Sequence, residues 1–392
     1  MNVKIIQLEK MELRCSNCGA VLRYNPSEKT VVCPNCGTKN EIDFKQEDFG
    51  KAWEEKDLLE YLEKTDSQEV IEDGLTVKCA ACGAEVEFAT PIIATECPYC
   101  ASPIVLDIDQ IPRKIKPQGI VPFTITREQA REQYRQWAKK KWFARSDFRK
   151  YANAPRSLKA EYVPYWTYDA VTFTDYRGER GDYYYETETY YENGEQKTRQ
   201  VRRIRWTPVS GTVRVDFDDI LVPATTQVSY LPKSDSWNTS EMKPYEPRLL
   251  SGFYSKAYDV SLRQGFEAAK QVMHSSIRAA IRRDIGGDDQ RIDSYTVHYS
   301  DLTFKHILLP MYHSVYKFKG KEYPFAINGQ TGKVYGKYPV SVWKILLVVL
   351  LVLLTLFLIY IWSEYDFNFT AFWQDTFSQN ITCFFPLKFF TL

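Results

Sequence analysis

The chain has 392 residues, with 51 Lys and Arg against 50 Asp and Glu, so no overall field draws it to nucleic acid or to an anionic surface. Its length allows two or three folded units, and a hydrophobic content of 44 % is enough to build their cores. The 27 tyrosines concentrate between 160 and 260, as expected of a β-rich, half-buried surface.

The opening MNVKIIQLEKMELRC has no continuous apolar stretch of the secretory kind, so the N-terminal part is expected in the cytosol. Of nine cysteines, eight fall into four C-x-x-C pairs and only Cys383 stands apart, which is the spacing of metal ligands in a reducing compartment. Cys15, Cys18, Cys33 and Cys36 form C-x2-C-x14-C-x2-C, and Cys79, Cys82, Cys97 and Cys100 repeat the pattern 64 residues later. Zinc binds four thiolates at tetrahedral corners about 2.3 Å away, and two turns joined by a short hairpin deliver that geometry. The spacing therefore predicts zinc ribbons over 11–43 and 75–108, each with one Zn2+. Four protein thiolates leave no open position for an activated water, so both ions are expected to be structural.

The neighbours agree with this reading. Gly19 and Gly83 follow the second Cys of each first pair, where the turn calls for positive φ, and Pro34 and Pro98 stiffen the second turns. VLRYNPSEKTVV and EVEFATPIIATE each read as two short strands around a turn. Each site closes its own loop, so loss of one Cys is expected to unfold its own ribbon alone. The first ribbon carries Arg14, Arg23, Lys29 and Lys39, whereas the second sets Lys78 against Glu85, Glu87 and Glu96, too little for a phosphate-binding stripe.

Between the ribbons, 44–74 is an acidic linker in which Trp53, Leu58, Leu59 and Leu62 fall at near-helical spacing. An amphipathic helix is expected there, serving as a solvated connector or as a docking element. Residues 109–340 then form an α+β domain. Thr126 and Gln129 make a capping box opening a helix with Ala130, Tyr134, Trp137 and Ala138 on one face. From Arg127 to Lys159 there are eleven Lys or Arg and three acids, including Lys139, Lys140 and Lys141. Such a run is ordinarily a solvated face, but beside a membrane each cation gains about 1 kcal/mol from anionic headgroups, and the acidic linker is an alternative mate.

EYVPYWTYDAVTFTDY alternates as a strand, and YYYETETYYENGEQKTRQVRRIRW reads as a long hairpin turning at Asn193 and Gly194. Residues 258–284 form a helix, with Val260, Leu262, Phe266, Ala269, Val272, Ile277 and Ile281 recurring at three or four. The last strands turn at Lys319 to Lys321 and at NGQTG. VPYWTYDAVTF at 163 and LPMYHSVYKF at 309 echo one another, as equivalent strands of a duplicated sheet would. His274, His298, His306 and His313 have no metal-ligand spacing, and no G-x4-G-K-S/T loop is present. The chain is therefore not expected to be an enzyme, and no small-molecule substrate is evident.

ILLVVLLVLLTLFLIYIW, residues 345–362, is uncharged and about 27 Å long as a helix, enough to span a bilayer core. Trp343 and Trp362 flank this span, assigned to 341–362. Lys333, Lys337 and Lys344 precede it, while Glu364, Asp366 and Asp375 follow. The expected topology is a single pass through the cell inner membrane with the N-terminal domain cytosolic. The tail 363–392 is aromatic without periodicity and receives no assignment. Asn238, Asn368 and Asn380 match the glycosylation sequon, a pattern frequent by chance.

Taken in order, CSNCGAVLRYNPSEKTVVCPNCG, CAACGAEVEF, ATECPYC, IVPFTITREQA, YVPYWTYDA, LLPMYHSVYKF and NGQTGKVYG resemble a bacterial family. Its members are membrane-anchored proteins with transcription-factor-IIB-type zinc ribbons, often labelled primosomal protein N′ or helicase-like. The resemblance covers about 11–362 and implies that the eight cysteines above are zinc ligands, with Ala101 standing where the first ribbon has Gly37. It also implies an adaptor or scaffold at the cytosolic membrane face, with phage-shock-protein-A-like or SPFH-type protein partners in envelope stress. The alternative is an anchored nucleic-acid-binding ribbon protein of replication or transcription. Nucleic acid is disfavoured because an acidic linker and a near-neutral second ribbon separate the basic segment from the first ribbon.

Overall fold

A computed structural model describes residues 5–6, 14–65, 75–79, 82, 84–88, 92–106, 115–151, 158–226, 237–318 and 320–364. Gly83, Asn368, Asn380, Cys383 and nearly all of the aromatic tail lie outside the described residues. The class is α+β. Two compact units are present, a large one within 1–137 and 151–337 and a small one within 138–150 and 338–392.

In the large unit, β1 (Ile5–Ile6) precedes the first ribbon, a meander of β2 (Arg23–Asn25), β3 (Thr30–Val32) and β4 (Lys39–Asn40). The acidic linker does not form one helix. It is divided into α1 (Gln46–Trp53) and α2 (Leu58–Thr65) by the two-residue strand β5 (Lys56–Asp57). Pairing of Lys56 with Phe304 and of Asp57 with Thr303 draws the backbone into the main sheet and overrides local helix propensity. Asp57 then restarts the helix, its carboxylate accepting from the Glu60 amide at 2.8 Å.

The second ribbon is built from β6 (Leu75–Lys78), β7 (Glu85–Phe88), β8 (Ile92–Glu96) and β9 (Pro103–Val105). The segment expected as one hairpin, EVEFATPIIATE, supplies β7 and β8, but they belong to different sheets. β7 pairs with β6 and β8 with β9. Beyond them come β10 (Gly119–Ile120), α3 (Arg127–Lys140), which opens on reciprocal Thr126 and Gln129 bonds, and α4 (Ser146–Tyr151).

The frame of the large unit is a sheet of unusually long antiparallel strands, β11 (Lys159–Glu192), β12 (Glu195–Pro223) and β15 (Asp289–Phe318), with β11 in the middle. β13 (Lys243–Pro244), β14 (Tyr254–Lys256), β16 (Lys321–Asn328) and β17 (Val334–Gly336) extend the sheet. The echoing segments are neighbours, with Val163 opposite Leu309. β11 and β12 turn at Asn193 and Gly194, both at positive φ.

Helix α5 (Leu262–Ile285) crosses this sheet, capped by Ser261 and Gln264 and ended at Gly286. Leu262, Phe266, Ala269, Met273, Ile277, Ile281 and Ile285 form its buried stripe against Trp166, Tyr168, Tyr176, Val213 and Phe217. Met273 occupies the place expected of Val272, which is exposed, because the stripe drifts with the 3.6-residue turn. The approach is close: a Cβ on Gly265 would lie 2.4 Å from the Tyr168 hydroxyl. That hydroxyl donates to the Leu262 carbonyl at 2.7 Å, and the Trp166 indole donates to Val260 at 3.0 Å, so both buried rings keep their polar ends paired.

The sheet also projects an arm. β11 pairs with β15 as far as Gly181, beyond which Asp182–Glu192 and Glu195–Arg205 form a two-stranded ribbon roughly 33 Å long. In the small unit, α6 (Val342–Glu364) includes Val342–Trp362, whose mean hydropathy of 3.1 and lack of buried residues make it long and apolar enough to cross a membrane.

Candidate metal centres and the segments that hold them

The structure brings Cys15, Cys18, Cys33 and Cys36 together, and separately Cys79, Cys82, Cys97 and Cys100, the four sulfurs of each group lying within 4.8 Å of one another. Sγ separations are 3.6 Å for Cys15 and Cys36, 3.4 Å for Cys18 and Cys33, and 3.8 Å for both Cys79–Cys100 and Cys82–Cys97. These are far beyond the roughly 2.05 Å of a disulfide. They approach the spacing of about 3.8 Å that a regular tetrahedron with 2.3 Å zinc–sulfur bonds requires. Each group has two buried and two exposed thiols, so a metal would bind at the ribbon tip with its coordination sphere filled.

The sequence repeat is also a repeat of backbone register. Arg14 bridges Val21 as Lys78 pairs Glu85, and Val32 pairs Lys39 as Glu96 pairs Pro103. The Cys15 and Cys79 amides donate to Ala20 and Ala84, both at 2.8 Å, and Cys33 and Cys97 donate to Thr38 and Ser102 at 2.9 and 2.8 Å. These bonds fold each C-x-x-C pair into a knuckle that points both sulfurs inward. At the second knuckles the residue after the last Cys is left-handed, Gly37 at φ +74° and Ala101 at φ +56°. Such a conformation costs an L-residue roughly 1 kcal/mol or more. Gly37→Ala is therefore expected to destabilise the first ribbon by about 1 kcal/mol, and Ala101→Gly to leave the second unchanged or slightly more stable. Thermal denaturation of the two variants checks the opposed signs.

The thiols are not equivalent. A side-chain bond from Thr38 and then its amide pull Cys36 down to about 6. The Ser102 hydroxyl and amide do the same at Cys100, also to about 6. At Cys33 the pull of the Cys36 amide is outweighed by burial and the neighbouring sulfurs, which push it up to about 11. At Cys82 the Ala84 amide is outweighed by the Cys100 sulfur and burial, to about 12. Near neutral pH each group thus offers a thiolate at the position after which the chain turns, and capture of a metal must expel the protons of Cys33 and Cys82.

Neither ribbon hangs free. Arg23 of the first donates to Glu96 of the second at 3.1 Å and to the Ala101 carbonyl at 3.0 Å. Tyr24 is buried against Phe253, its hydroxyl donating to the Phe123 carbonyl at 3.2 Å, and Ser251 donates to Leu22 at 2.6 Å. The second ribbon is joined through the backbone: β8 pairs with β14, which pairs with β11, so the strand that leads into Cys97 is part of the main sheet. Two more of the first ribbon's four basic residues are engaged as well. Arg14 donates to the Gly19 carbonyl at 3.2 Å, and Lys39 lies 2.8 Å from Glu28.

A polar centre without local sequence signal lies where the linker meets the sheet. Lys305 is 3 % exposed, and its ammonium is 3.1 Å from Glu55, 3.0 Å from Asp219 and 3.6 Å from Asp169. The carboxylates of Glu55, Asp169 and Asp218 also converge within 4.8 Å, with Lys305 supplying charge of the opposite sign. Asp169 sits at a break in register with both neighbouring strands and accepts from the Asp219 amide, where φ is +50°. Glu55 and Lys305 are 250 residues apart, so no spacing rule could pair them. The four histidines lie in separate settings, His306 among Trp166 and Tyr258, His313 on Glu161, His274 on Tyr295 and His298 beside Asp175.

No family model matches the chain, and no solved structure does. It is similar to the uncharacterized protein YdjG of Bacillus subtilis (strain 168), 25 % identical over 248 residues that cover 60 % of this chain and 68 % of that protein.

Proposed function

We propose that this chain is a membrane-tethered scaffold: α6 crosses the inner membrane once, two structural Zn2+ hold the ribbons, and the large unit presents a protein-binding surface in the cytosol. The arm carries this reading. A two-stranded ribbon of this length has little core of its own and two open edges, a state that a partner relieves. Tyr185 and Tyr191 are 66 % and 74 % exposed, and they share a face with Tyr183, Ile204 and Arg202. Tyr and Arg are the side chains that anchor protein interfaces, and Arg202 stacks 4.3 Å from the Tyr183 ring centre, which fixes it in place before binding.

Charge argues against nucleic acid as the ligand. Residues 182–195 hold five acids and no base, and 196–206 hold five bases and no acid, so the two strands neutralise each other. Glu188 takes Arg199 at 3.1 Å and Arg203 at 2.6 Å, and Glu192 takes Lys197 at 2.8 Å. A phosphate backbone needs cations that are not already matched. The partners the family resemblance suggests, phage-shock-protein-A-like or SPFH-type proteins, remain the first to test.

Crosslinked pull-down of tagged full-length protein from membranes is expected to enrich a partner, and the double variant Tyr185→Ser, Tyr191→Ser to lose it by roughly thirtyfold, as for an interface anchor. Sub-micromolar binding of DNA or RNA that weakens steeply with salt, with equal protein capture by wild type and variant, would overturn the scaffold. Protease added to spheroplasts should spare an N-terminal epitope, and its digestion would reverse the topology.

A further inference from the structure

We propose that residues 138–145, folded against the foot of α6, form a binding site for anionic phospholipid headgroups; this rests on reading α6 as a membrane span. The segment and the helix are about two hundred positions apart in the chain, yet they make one piece of structure. Ala144 bridges Val340, the Arg145 amide donates to Pro339 at 3.1 Å, and the Ser341 amide donates to Phe143 at 2.8 Å. Lys344, in the first turn of α6, donates to the carbonyls of both Trp142 and Ala144 at 2.8 Å. Its ammonium is thereby committed to holding the segment at the helix foot.

What this fold gathers is chemistry of one kind. Within 138–145 there are four cations, Lys139, Lys140, Lys141 and Arg145, and no acid. Lys139 and Lys140 are exposed, and Lys141 lies over the Tyr338 ring at 5.6 Å. Three large rings are also left in solvent, Trp142 at 51 %, Phe143 at 40 % and Trp343 at 82 % exposure. In water that exposure is unfavourable. At the headgroup level of a bilayer, indole rings beside lysines are favoured, since the ring takes the apolar boundary and the ammonium the phosphate. The surface continues directly into the apolar helix, so its phosphate ligand belongs to a lipid rather than to a dissolved anion. The lysine triplet is then a headgroup contact at the base of the span.

The test uses the full chain reconstituted into phosphatidylcholine vesicles carrying a trace of spin-labelled phosphatidylglycerol or spin-labelled phosphatidylcholine. At low salt the motionally restricted fraction is expected to prefer phosphatidylglycerol about fivefold or more, as one to several lysines near an anionic lipid would give. The preference should fall towards parity in Lys139→Gln, Lys140→Gln and in high salt, and it should resist inorganic phosphate added at constant ionic strength. Equal restriction of the two lipids by wild type, a preference unchanged in the variant, or displacement by inorganic phosphate would each overturn the site. Alkaline carbonate extraction separates the two readings. A chain released from vesicles by carbonate sinks the membrane span itself, whereas a chain that is retained without lipid preference sinks only the headgroup site.

Discussion

Cys97→Ser is expected to lower the melting temperature of the large unit on the order of 10 °C, while Cys33→Ser lowers it by about 2 °C, although each removes one metal ion per chain. The asymmetry comes from how the ribbons are attached. Cys97 directly follows β8, whose Ala94 and Ile92 pair with Ser255 and Lys256, and β14 in turn pairs with Glu161 and Tyr162 of β11. Its sulfur is packed in a cluster with Val77, Cys79, Val86, Ile92, Ile104 and Leu106, a core too small to survive without metal. Losing that site frays a strand of the main sheet. Cys33 follows β3, which pairs with β2 and β4 alone among the described residues. The first ribbon is fastened by side chains, chiefly Tyr24 and Arg23, and by one backbone bond from the Tyr24 amide to the Ser251 carbonyl at 3.1 Å, with no described strand of the main sheet paired to it, so its unfolding stays local. Zinc analysis alongside thermal denaturation decides: equal melting shifts for the two variants would mean that the sheet does not transmit the second site's loss.

Local chemistry was legible in the sequence and long-range pairing was not. Eight cysteines at a duplicated spacing specify two four-sulfur groups because thiolate geometry is set by a knuckle of a few residues. The Asn193–Gly194 turn and the apolar run of α6 are read the same way. The buried face of helix α5 was readable to within one residue, Met273 replacing Val272, but the helix starts at Leu262 and not at 258: Ser261, whose hydroxyl accepts from the Gln264 amide, caps it there and leaves Val260 outside. The failures share a cause. β7 and β8 look like one hairpin until β6 and β14 compete for them, and the acidic linker looks like one helix until Thr303 and Phe304 pair with its middle. Independent unfolding of the ribbons followed from loop closure alone, and β14 changes that expectation for the second. Strand partners hundreds of residues away leave no period to detect. The same blindness hid the docking of Trp142 and Ala144 on Lys344, and the setting of Lys305.

Lys305→Met is expected to destabilise the large unit by about 3–5 kcal/mol, the cost of breaking a buried ion cluster from one side. Methionine keeps the length and fills the volume, so the loss is of charge: Asp169 and Asp219 stay beneath the linker without the ammonium that faces both. The pH dependence carries the signature. Burial lowers the Lys305 pKa, but Asp219 and Asp169 outweigh it and hold it above 10.5. Its stabilisation is therefore complete below pH 10.5 and is lost as pH rises through the folded value. Glu55 is pushed up by burial but pulled further down by Lys305 and Thr303, so its share is present above 4.5 and is lost as pH falls through its folded value. Asp169 has the opposite sign, raised chiefly by burial, so ionising it in the folded state costs stability as pH rises from 3.8 through the folded value. Without Lys305, burial and mutual repulsion should raise Glu55 and raise Asp169 further. The variant should then recover part of its deficit between pH 7 and pH 5, in the range where such raised groups protonate. Urea denaturation of both proteins at the two pH values is the check. A deficit below about 1 kcal/mol, or one that does not shrink on acidification, would show that the linker is held to the sheet by β5 pairing and not by this charge cluster.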